Sequence, residues 1–324
     1  MKILVLGAAG MIGRKLVSAL ITDRTHLGPD DILVLHDIIE PTRPDGHENT
    51  KLISGDLADR DITDKLASEE ADIIFHLASV VSGEAEADFN KGWRMNMGGG
   101  WQLFEALKKR HEAKDGHYRP RVIFASSIAV FGPPFPQTID DSFLTAPQTS
   151  YGAQKAMMEL LLADYARKGF IDGLSIRLPT ICVRPGKPNA AASSFFSGII
   201  REPLNGQTAI LPVPDTVRHW HASPRSAVGF FMHAASLDTN LLQARRALNM
   251  PGISCTVAEQ IEALRDIAGE QAVSRIIPKS DETIMRIVQG WPRCFQPDEA
   301  ISLGFTAESQ FHDIIKIYLE DEMS

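Results

Sequence analysis

The stretch Lys2-Ile3-Leu4-Val5-Leu6-Gly7-Ala8-Ala9-Gly10-Met11-Ile12-Gly13 decides the fold of this chain. Its apolar start predicts a short buried parallel strand, and helical periodicity follows the last glycine. Glycines permit a tight turn and let the backbone approach a pyrophosphate, which the N-terminal dipole of the following helix stabilises. A glycine triplet alone is weak evidence, but here the strand and the helix flank it correctly. The predicted cofactor-binding residues of this turn are Gly7, Gly10, Met11, Ile12 and Gly13.

A second apolar run, residues 31–37, ends in the acidic residue Asp37. An acid at this position accepts hydrogen bonds from an adenosine ribose and repels a 2′-phosphate. We therefore expect NAD rather than NADP as the cofactor, and equal catalytic efficiency with both would refute that argument. Two alternatives stay open: Asp37 is a solvated loop acid, or the nearby Arg43 admits NADP.

Further buried-strand patterns alternate with helical segments up to about residue 180. Strand patterns cover residues 51–57, 71–79, 121–125 and 174–179. Repeated βα units predict an α/β fold with a Rossmann-like, doubly wound parallel sheet. Chemistry in such sheets gathers at the carboxyl ends of strands, where Ser126 and Ser127 follow the third of these patterns.

Tyr151 and Lys155 lie four residues apart on a predicted helix and therefore share one face. A phenol has a pKa of about 10, so its use as a base near neutral pH needs a decrease of roughly 2–3 units. The nearby ammonium and an oxidised nicotinamide can supply that decrease together. The alternative is an ordinary amphipathic helix, because Tyr-x-x-x-Lys is a common pattern.

The composition excludes several classes of function. The 324 residues carry a net charge of −8, without a basic patch for nucleic acid or an apolar run that would span a membrane. The three cysteines are widely spaced, so we expect a reduced, cytoplasmic protein. We expect no metal, because His219 and His221 are taken to point to opposite sides of a strand.

As a set, the motifs resemble the extended short-chain dehydrogenase/reductase family, also called the NAD-dependent epimerase/dehydratase family. The matching pieces are Gly7-x-x-Gly10-x-x-Gly13, Asp37, Gly55-Asp56-Leu57, His76-Leu77-Ala78-Ser79, Asn96, residues 127–132, Tyr151-x-x-x-Lys155, Arg177-Leu178-Pro179 and, near the C-terminus, residues 298–305. The resemblance implies a NAD-binding domain over residues 1–178, with returning segments near 215–249. It also implies a smaller substrate-binding lobe over residues 179–214 and 250–324.

The family resemblance also implies residue roles. Tyr151 is the general base, Lys155 binds the nicotinamide ribose and lowers the tyrosine pKa, and Ser127 binds the reacting hydroxyl. The remaining implied cofactor-binding residues are Asp37, Asp56, Leu57, Leu77, Ala78, Ser79, Asn96 and Pro179, besides Tyr151 and Lys155 themselves. The implied substrate-binding residues are Ser79, Ser126, Ser127, Tyr151, Arg184, Asn189 and Arg218.

Within the family, Ile128 and Ala129 replace the acidic pair that 4,6-dehydratases need, which argues against dehydration. Residues 179–197 are similar to a small subgroup whose members oxidise C2 of the four-carbon sugar acid D-erythronate. The expected function is therefore NAD-dependent oxidation of a small 2-hydroxy sugar acid. The alternatives are a nucleotide-sugar epimerase with tightly bound NAD and a non-catalytic NAD-binding sensor.

Two substrate-lobe arginines, Arg184 and Arg218, are candidates for a carboxylate clamp, since arginine pairs with carboxylates in a bidentate manner. A diphosphate clamp or a surface position stays open for both. Relatives in the family commonly form homodimers through two long helices, which correspond here to residues 102–109 and 157–165. We therefore expect a homodimer with a small-molecule substrate, without nucleic-acid or membrane partners.

Overall fold

The computed structural model describes residues 1–186, 191–242 and 245–323. The strands are β1 (Lys2–Leu6), β2 (Ile32–Asp37), β3 (Thr50–Ser54), β4 (Ile73–His76), β5 (Arg121–Ser127), β6 (Ile139–Asp140), β7 (Asp172–Leu178), β8 (Thr180–Ile181), β9 (Ala209–Leu211), β10 (Arg218–Ala222), β11 (Ala247–Asn249), β12 (Ile253–Thr256), β13 (Ile276–Pro278) and β14 (Phe295–Gln296). The α-helices are α1 (Met11–Asp23), α2 (Arg60–Ser68), α3 (Ser82–Ala87), α4 (Phe89–Gly92), α5 (Gly100–Ala113), α6 (Ser150–Arg167), α7 (Ser194–Leu204), α8 (Pro224–Ser236), α9 (Val257–Ala268), α10 (Glu270–Val273), α11 (Glu282–Gln289), α12 (Asp298–Ser302) and α13 (Phe311–Glu322). A π-helix, Trp93–Gly99, joins α4 to α5.

The chain forms two compact units. Unit 1 comprises residues 1–127, 149–177 and 228–248, and unit 2 comprises residues 128–148, 178–227 and 249–324. Two stretches that the sequence analysis assigned to the first domain or its returning segments pack in unit 2. Residues 128–148 do so because β6 pairs with β14, and residues 215–227 because β10 pairs with β8 and β12. In both cases strand pairing across a long sequence separation decides the assignment.

Unit 1 is built around a seven-stranded sheet with the order β11-β7-β5-β4-β1-β2-β3. The pairings of β1 with β2 and β4, of β2 with β3 and of β4 with β5 are parallel. The central strands are buried except at the ends of β1 and β2, as their continuous apolar runs predict. The predicted α/β doubly wound fold is therefore confirmed, and it gathers the carboxyl ends of these strands at one edge of the sheet.

Unit 2 contains a three-stranded sheet, β12-β10-β8, and two two-stranded sheets, β13-β9 and β14-β6. Its apolar core draws on α7, α9 and α13. Fully buried side chains on these helices include Phe196, Ile199, Ile200, Leu264, Ile314 and Ile315. The apolar side chains of α13 are thus part of this core.

Helices α5 and α6 contact each other within unit 1, and each also presents an apolar side chain to the surface. Leu160 is 73% exposed and Trp101 is 46% exposed. Tyr165, by contrast, is buried against Phe104, with ring centroids 5.7 Å apart. In the part of the chain that the structure describes, no helix has the length and apolarity needed to cross a membrane.

Candidate functional site

The glycine turn between β1 and α1 is closed so tightly that side chains do not fit there. Gly7 has φ +86°, and a Cβ atom on it would lie 2.7 Å from the backbone nitrogen of Ala78. A Cβ atom on Gly13 would lie 2.1 Å from the carbonyl oxygen of Gly7. The N-cap residue of α1 is Gly10, which has no side chain to cover the first amides of the helix at Met11 and Ile12. This combination leaves a helix N-terminus open to a phosphate group.

Asp37 lies at the end of β2, next to this turn. Its carboxylate accepts hydrogen bonds from the backbone nitrogens of Ala9 (2.9 Å) and Ile38 (2.7 Å). Arg43 donates to the backbone oxygens of Thr50 (2.7 Å) and Glu48 (3.3 Å), so its guanidinium is engaged in the loop before β3. The acid is thus held beside the glycine turn while the arginine is turned to the loop, an arrangement that fits the adenosine ribose of NAD.

Asp56 and Leu57 follow β3 at the same edge of the sheet. The Asp56 carboxylate accepts a hydrogen bond from the backbone nitrogen of Ala58 (2.8 Å) and forms an ion pair with Arg94. Leu57 is buried, and its backbone packs against Gly99 at the end of the π-helix. Asp56 therefore closes the turn before α2, whose N-cap is Asp59, and the contact of Asp56 and Leu57 with adenine stays a prediction.

A buried amide, Asn96, organises the strand end after β4. Its Oδ1 accepts hydrogen bonds from the backbone nitrogen of Val80 (2.8 Å) and the hydroxyl of Ser79 (3.0 Å). Its Nδ2 donates to Oε1 of Gln154 on α6 (2.8 Å). Asn96 and the two glycines Gly98 and Gly99 lie in the π-helix, which replaces regular α-helix at this point. The sequence analysis singled out Asn96, but it missed Gln154.

The loop after β4 also carries Leu77 and Ala78. The backbone nitrogen of Leu77 donates to the oxygen of Leu6 at 2.9 Å, which continues the pairing of β4 with β1. Ala78 lies against Gly7. These residues border the glycine turn, and their contact with the cofactor remains a prediction.

Tyr151 begins the first turn of α6, where Thr149 accepts a hydrogen bond from the nitrogen of Gly152 as the N-cap residue. The phenol oxygen hydrogen-bonds with the hydroxyls of Ser127 and Ser79. Burial raises the pKa of Tyr151 to about 12, and the two serine hydroxyls counteract that increase. The side chains of the protein alone therefore do not supply the predicted decrease in the pKa of Tyr151.

Lys155 lies one helical turn beyond Tyr151, and its side chain is almost completely buried. Its Nζ donates to the carbonyl oxygen of Ala125 (2.7 Å) and lies 5.5 Å from the centre of the Tyr151 ring. Burial lowers the pKa of Lys155 to about 7, and the negative charge of Glu159 acts in the opposite direction. The structure thus brings together Ser127, Tyr151 and Lys155 at the carboxyl end of β5.

Ser126 has a different partner from Ser127. Its hydroxyl is buried and donates to Oε1 of Glu159 at 2.5 Å. Glu159 in turn forms a two-pronged ion pair with Arg177 at the end of β7. That Ser126 lines a substrate or cofactor pocket stays a prediction, and its observed contact is structural. Sequence reasoning missed Glu159, although its position four residues after Lys155 places it on the same helix face.

His76, on β4, is buried between the aromatic rings of Phe104 and Phe124. Burial lowers the pKa of His76 to about 3, so the imidazole is neutral. Both ring nitrogens lack a hydrogen-bond partner in the described structure. His76 is therefore a residue of the core.

In unit 2, the two candidate arginines differ. Arg184 is half-buried: its backbone nitrogen donates to Ser197 (3.0 Å) and its guanidinium to Ser193 (3.3 Å), with no carboxylate paired to it among the described residues. Arg218 donates to the oxygen of Ser254 (2.9 Å) and pairs with Glu259. Of the two candidates, Arg184 is thus the one whose guanidinium has no acidic partner in the described part of the chain. Asn189 lies outside the described residues, and the role of Pro179, also in unit 2, stays a prediction.

The expected orientation of the histidine pair on β10 is wrong. The rings of His219 and His221 lie 5.3 Å apart, because residues two apart on a strand share a face. His219 hydrogen-bonds to Thr180 (2.6 Å) and to the oxygen of Pro292 (2.9 Å), and His221 to Gln260 (2.9 Å). Within the described ranges no three His, Cys, Asp or Glu side chains are grouped to hold a metal ion.

Comparisons with known proteins agree with this geometry. Residues 3–221 match the NAD dependent epimerase/dehydratase family. The chain is 40% identical over 324 residues to the D-erythronate dehydrogenase of Haemophilus influenzae, covering 100% of both chains. It is 42% identical over 326 residues to that of Cupriavidus necator, covering 99% of this chain and 98% of the relative. A crystal structure described as the nucleoside-diphosphate-sugar epimerase from Agrobacterium tumefaciens superimposes with a TM-score of 0.96, at 54% identity, over 100% of this chain and 94% of that one. The chain therefore belongs to the NAD dependent epimerase/dehydratase family.

Proposed function

We propose that this protein is an NAD-dependent dehydrogenase that oxidises a small 2-hydroxy sugar acid, D-erythronate, to the 2-oxo acid. The observation that carries the proposal is the meeting of Ser127, Tyr151 and Lys155 at the end of β5. The full-length similarity to two D-erythronate dehydrogenases supports the choice of substrate.

In this mechanism Tyr151 takes the proton of the C2 hydroxyl while the hydrogen on C2 departs as hydride. Bound NAD supplies the hydride acceptor. Ser127 holds the reacting oxygen by a hydrogen bond, and the same hydroxyl stabilises the phenolate when no substrate is present. Lys155 supplies positive charge one turn away from the phenol. Burial holds the pKa of Tyr151 above its usual value in the protein alone, so the positive charges of Lys155 and of bound NAD would favour the phenolate.

The carboxylate of the substrate needs a cationic partner, and Arg184 is the arginine we assign to it. Its guanidinium hydrogen-bonds to Ser193 and has no acidic partner among the described residues. Arg218 is a weaker candidate, since Glu259 already pairs with it. Asn189 is proposed to bind a substrate hydroxyl on the basis of the sequence alone.

A nucleotide-sugar epimerase is the second candidate, and the relative from Agrobacterium tumefaciens carries that description. In an epimerase the cofactor is regenerated in each cycle, so NADH does not accumulate. The test incubates the protein with NAD and a panel of four-carbon sugar acids while the absorbance of NADH is followed. Nucleotide sugars are assayed in parallel by product analysis. Turnover of a nucleotide sugar without NADH from any acid would remove the dehydrogenase proposal.

A non-catalytic NAD sensor is the third candidate, and the variant Tyr151→Phe separates it from an enzyme. We expect Tyr151→Phe to lower turnover at least about 1000-fold, since both the base and its hydrogen bond to Ser127 are lost. The Kd for NAD, measured by calorimetry, should change by less than about threefold. Retained turnover would remove Tyr151 from the mechanism.

We further propose a cytoplasmic homodimer formed through α5 and α6. The support is the exposure of Leu160 and Trp101 on these helices, together with three free cysteines. Leu160→Asp should convert the dimer to a monomer in light scattering coupled to size exclusion. A wild-type protein that is monomeric at micromolar concentration would contradict the proposal.

A further inference from the structure

A buried acidic side chain lies one helical turn beyond Lys155, and the mechanism above does not use it. Tyr151, Lys155 and Glu159 follow one another at four-residue spacing on α6, so they share one face. The Glu159 side chain is only 5% exposed. Burial of a carboxylate is costly unless it is paired and hydrogen-bonded, so the partners of Glu159 need an explanation.

These partners come from the carboxyl ends of two neighbouring strands. Arg177 on β7 donates from Nε to Oε1 of Glu159 (3.0 Å) and from Nη2 to Oε2 (2.7 Å). Ser126 on β5 donates its hydroxyl to Oε1 at 2.5 Å. Glu159 therefore fastens the ends of β5 and β7 to α6, at the edge of the sheet where the proposed catalytic residues lie.

A second contact between β5 and α6 lies beside the first. Lys155 Nζ donates to the carbonyl oxygen of Ala125, the residue before Ser126. The consecutive residues Ala125 and Ser126 thus contact Lys155 and Glu159, which lie one helical turn apart. Together the two contacts restrict both the position and the rotation of the end of β5. The next residue of the strand is Ser127, whose hydroxyl must meet Tyr151.

We propose that Glu159 is a positioning residue, which places Ser127 by way of Ser126. The inference rests on the roles given above to Ser127, Tyr151 and Lys155. A buried ion pair is by itself weak evidence for a contribution to stability, so a role in placement is the more specific explanation. A misplacement of about 1 Å costs about 100-fold in rate.

The test compares Glu159→Gln, Ser126→Ala and the double variant in steady-state assays with D-erythronate and NAD. Glutamine keeps the shape of Glu159 but loses its charge. We expect kcat to fall about 30- to 100-fold for Glu159→Gln and about 3- to 10-fold for Ser126→Ala, with the Kd for NAD within about threefold. The double variant should be no slower than Glu159→Gln, because both changes break the same contact.

The pH profile provides a readout that a purely structural role would not move. The titratable groups around Lys155 are Tyr151 and Glu159 on α6 and His76 on β4, which burial keeps neutral, with Arg177 on β7 behind Glu159. Without the charge of Glu159, the pKa of Lys155 falls further. The loss of kcat at high pH should therefore begin about 1 pH unit lower in Glu159→Gln.

The matched control lies at the opposite ends of the same two strands. Arg121, at the start of β5, forms an equally close ion pair with Asp172, at the start of β7 (2.7 Å). Asp172→Asn should lower the Tm yet leave kcat within about twofold. Equal losses of kcat in Asp172→Asn and Glu159→Gln, or an unchanged kcat and pH profile in Glu159→Gln, would overturn the inference.

The wild-type assay separates this inference from the proposed function. If the wild type converts a nucleotide sugar and no sugar acid, the dehydrogenase proposal fails. The ratios of variant to wild type in that reaction still test Glu159, since epimerisation begins with the same proton removal by Tyr151.

Discussion

Replacement of Lys155 by methionine should stabilise the folded protein near neutral pH while it abolishes turnover. Burial lowers the pKa of Lys155 from 10.5 to about 7. At 1.36 kcal/mol per pH unit, this difference corresponds to about 5 kcal/mol of unfavourable free energy for holding the charge in the folded protein. Methionine fills a similar volume without a charge, so it removes this cost.

The stabilisation has a pH dependence with a definite sign. Below pH 7 the lysine is charged in both the folded and the unfolded state, so the full cost applies to the wild type. Between pH 7 and 10.5 the folded state releases the proton that the unfolded state still binds, and wild-type stability rises with pH. The advantage of Lys155→Met should therefore shrink by about 2 kcal/mol between pH 7 and pH 9. Loss of the hydrogen bond to Ala125 subtracts about 1–3 kcal/mol at every pH.

Urea unfolding of the cofactor-free protein at pH 6, 7, 8 and 9 measures this effect. Lys168→Met is the control, since that lysine follows the same helix and is exposed. Subtraction of the control removes the general consequence of deleting a lysine. A difference in the free energy of unfolding that stays constant from pH 6 to pH 9 would refute the reasoning.

Three further predictions concern the cofactor and substrate residues. Gly13→Ala should weaken NAD binding at least about 100-fold in calorimetry, because the new Cβ atom would lie 2.1 Å from the carbonyl oxygen of Gly7. The control is Gly229→Ala, which should bind NAD normally because no atom lies within 4 Å of its new Cβ atom. Asp37→Ala should lower the preference for NAD over NADP about tenfold or more in kcat/KM, and an unchanged preference would contradict the role of the acid. Arg184→Gln should raise the KM for the sugar acid about 10- to 100-fold, with a smaller effect on kcat. Arg218→Gln should raise the KM less, since Glu259 already pairs with the Arg218 guanidinium. Equal increases of KM in the two variants would argue against a role of Arg184 in binding the carboxylate.

Local patterns were sufficient to predict the cofactor half of the fold. A strand, a glycine turn and a helix are contiguous in the chain, and the steric limits of the turn act over a few residues, so Gly7 and Gly13 could be assigned from their spacing. Asp37 could be assigned because β1 and β2 are adjacent parallel strands, whose ends lie side by side.

Residues that meet across the sheet were harder to predict. Glu159 looked like an ordinary helix residue, and its function became visible only when β5 and β7 brought Ser126 and Arg177 to it. The same holds for the units, since β6 pairs with β14 across more than 150 positions of sequence. No local pattern encodes such a pairing, because it depends on the route of the whole chain.

The sequence by itself determined the βα repeat, the glycine turn and the Tyr151–Lys155 spacing, because each of these depends on geometry within one or two adjacent elements. Only the tertiary structure decided the ionisation of the site. Burial raises the pKa of Tyr151 and lowers that of Lys155, and burial is a property of everything packed around a side chain. It also decided which of the two candidate arginines has an acidic partner, since the contact between Arg218 and Glu259 forms only when β10 meets the start of α9.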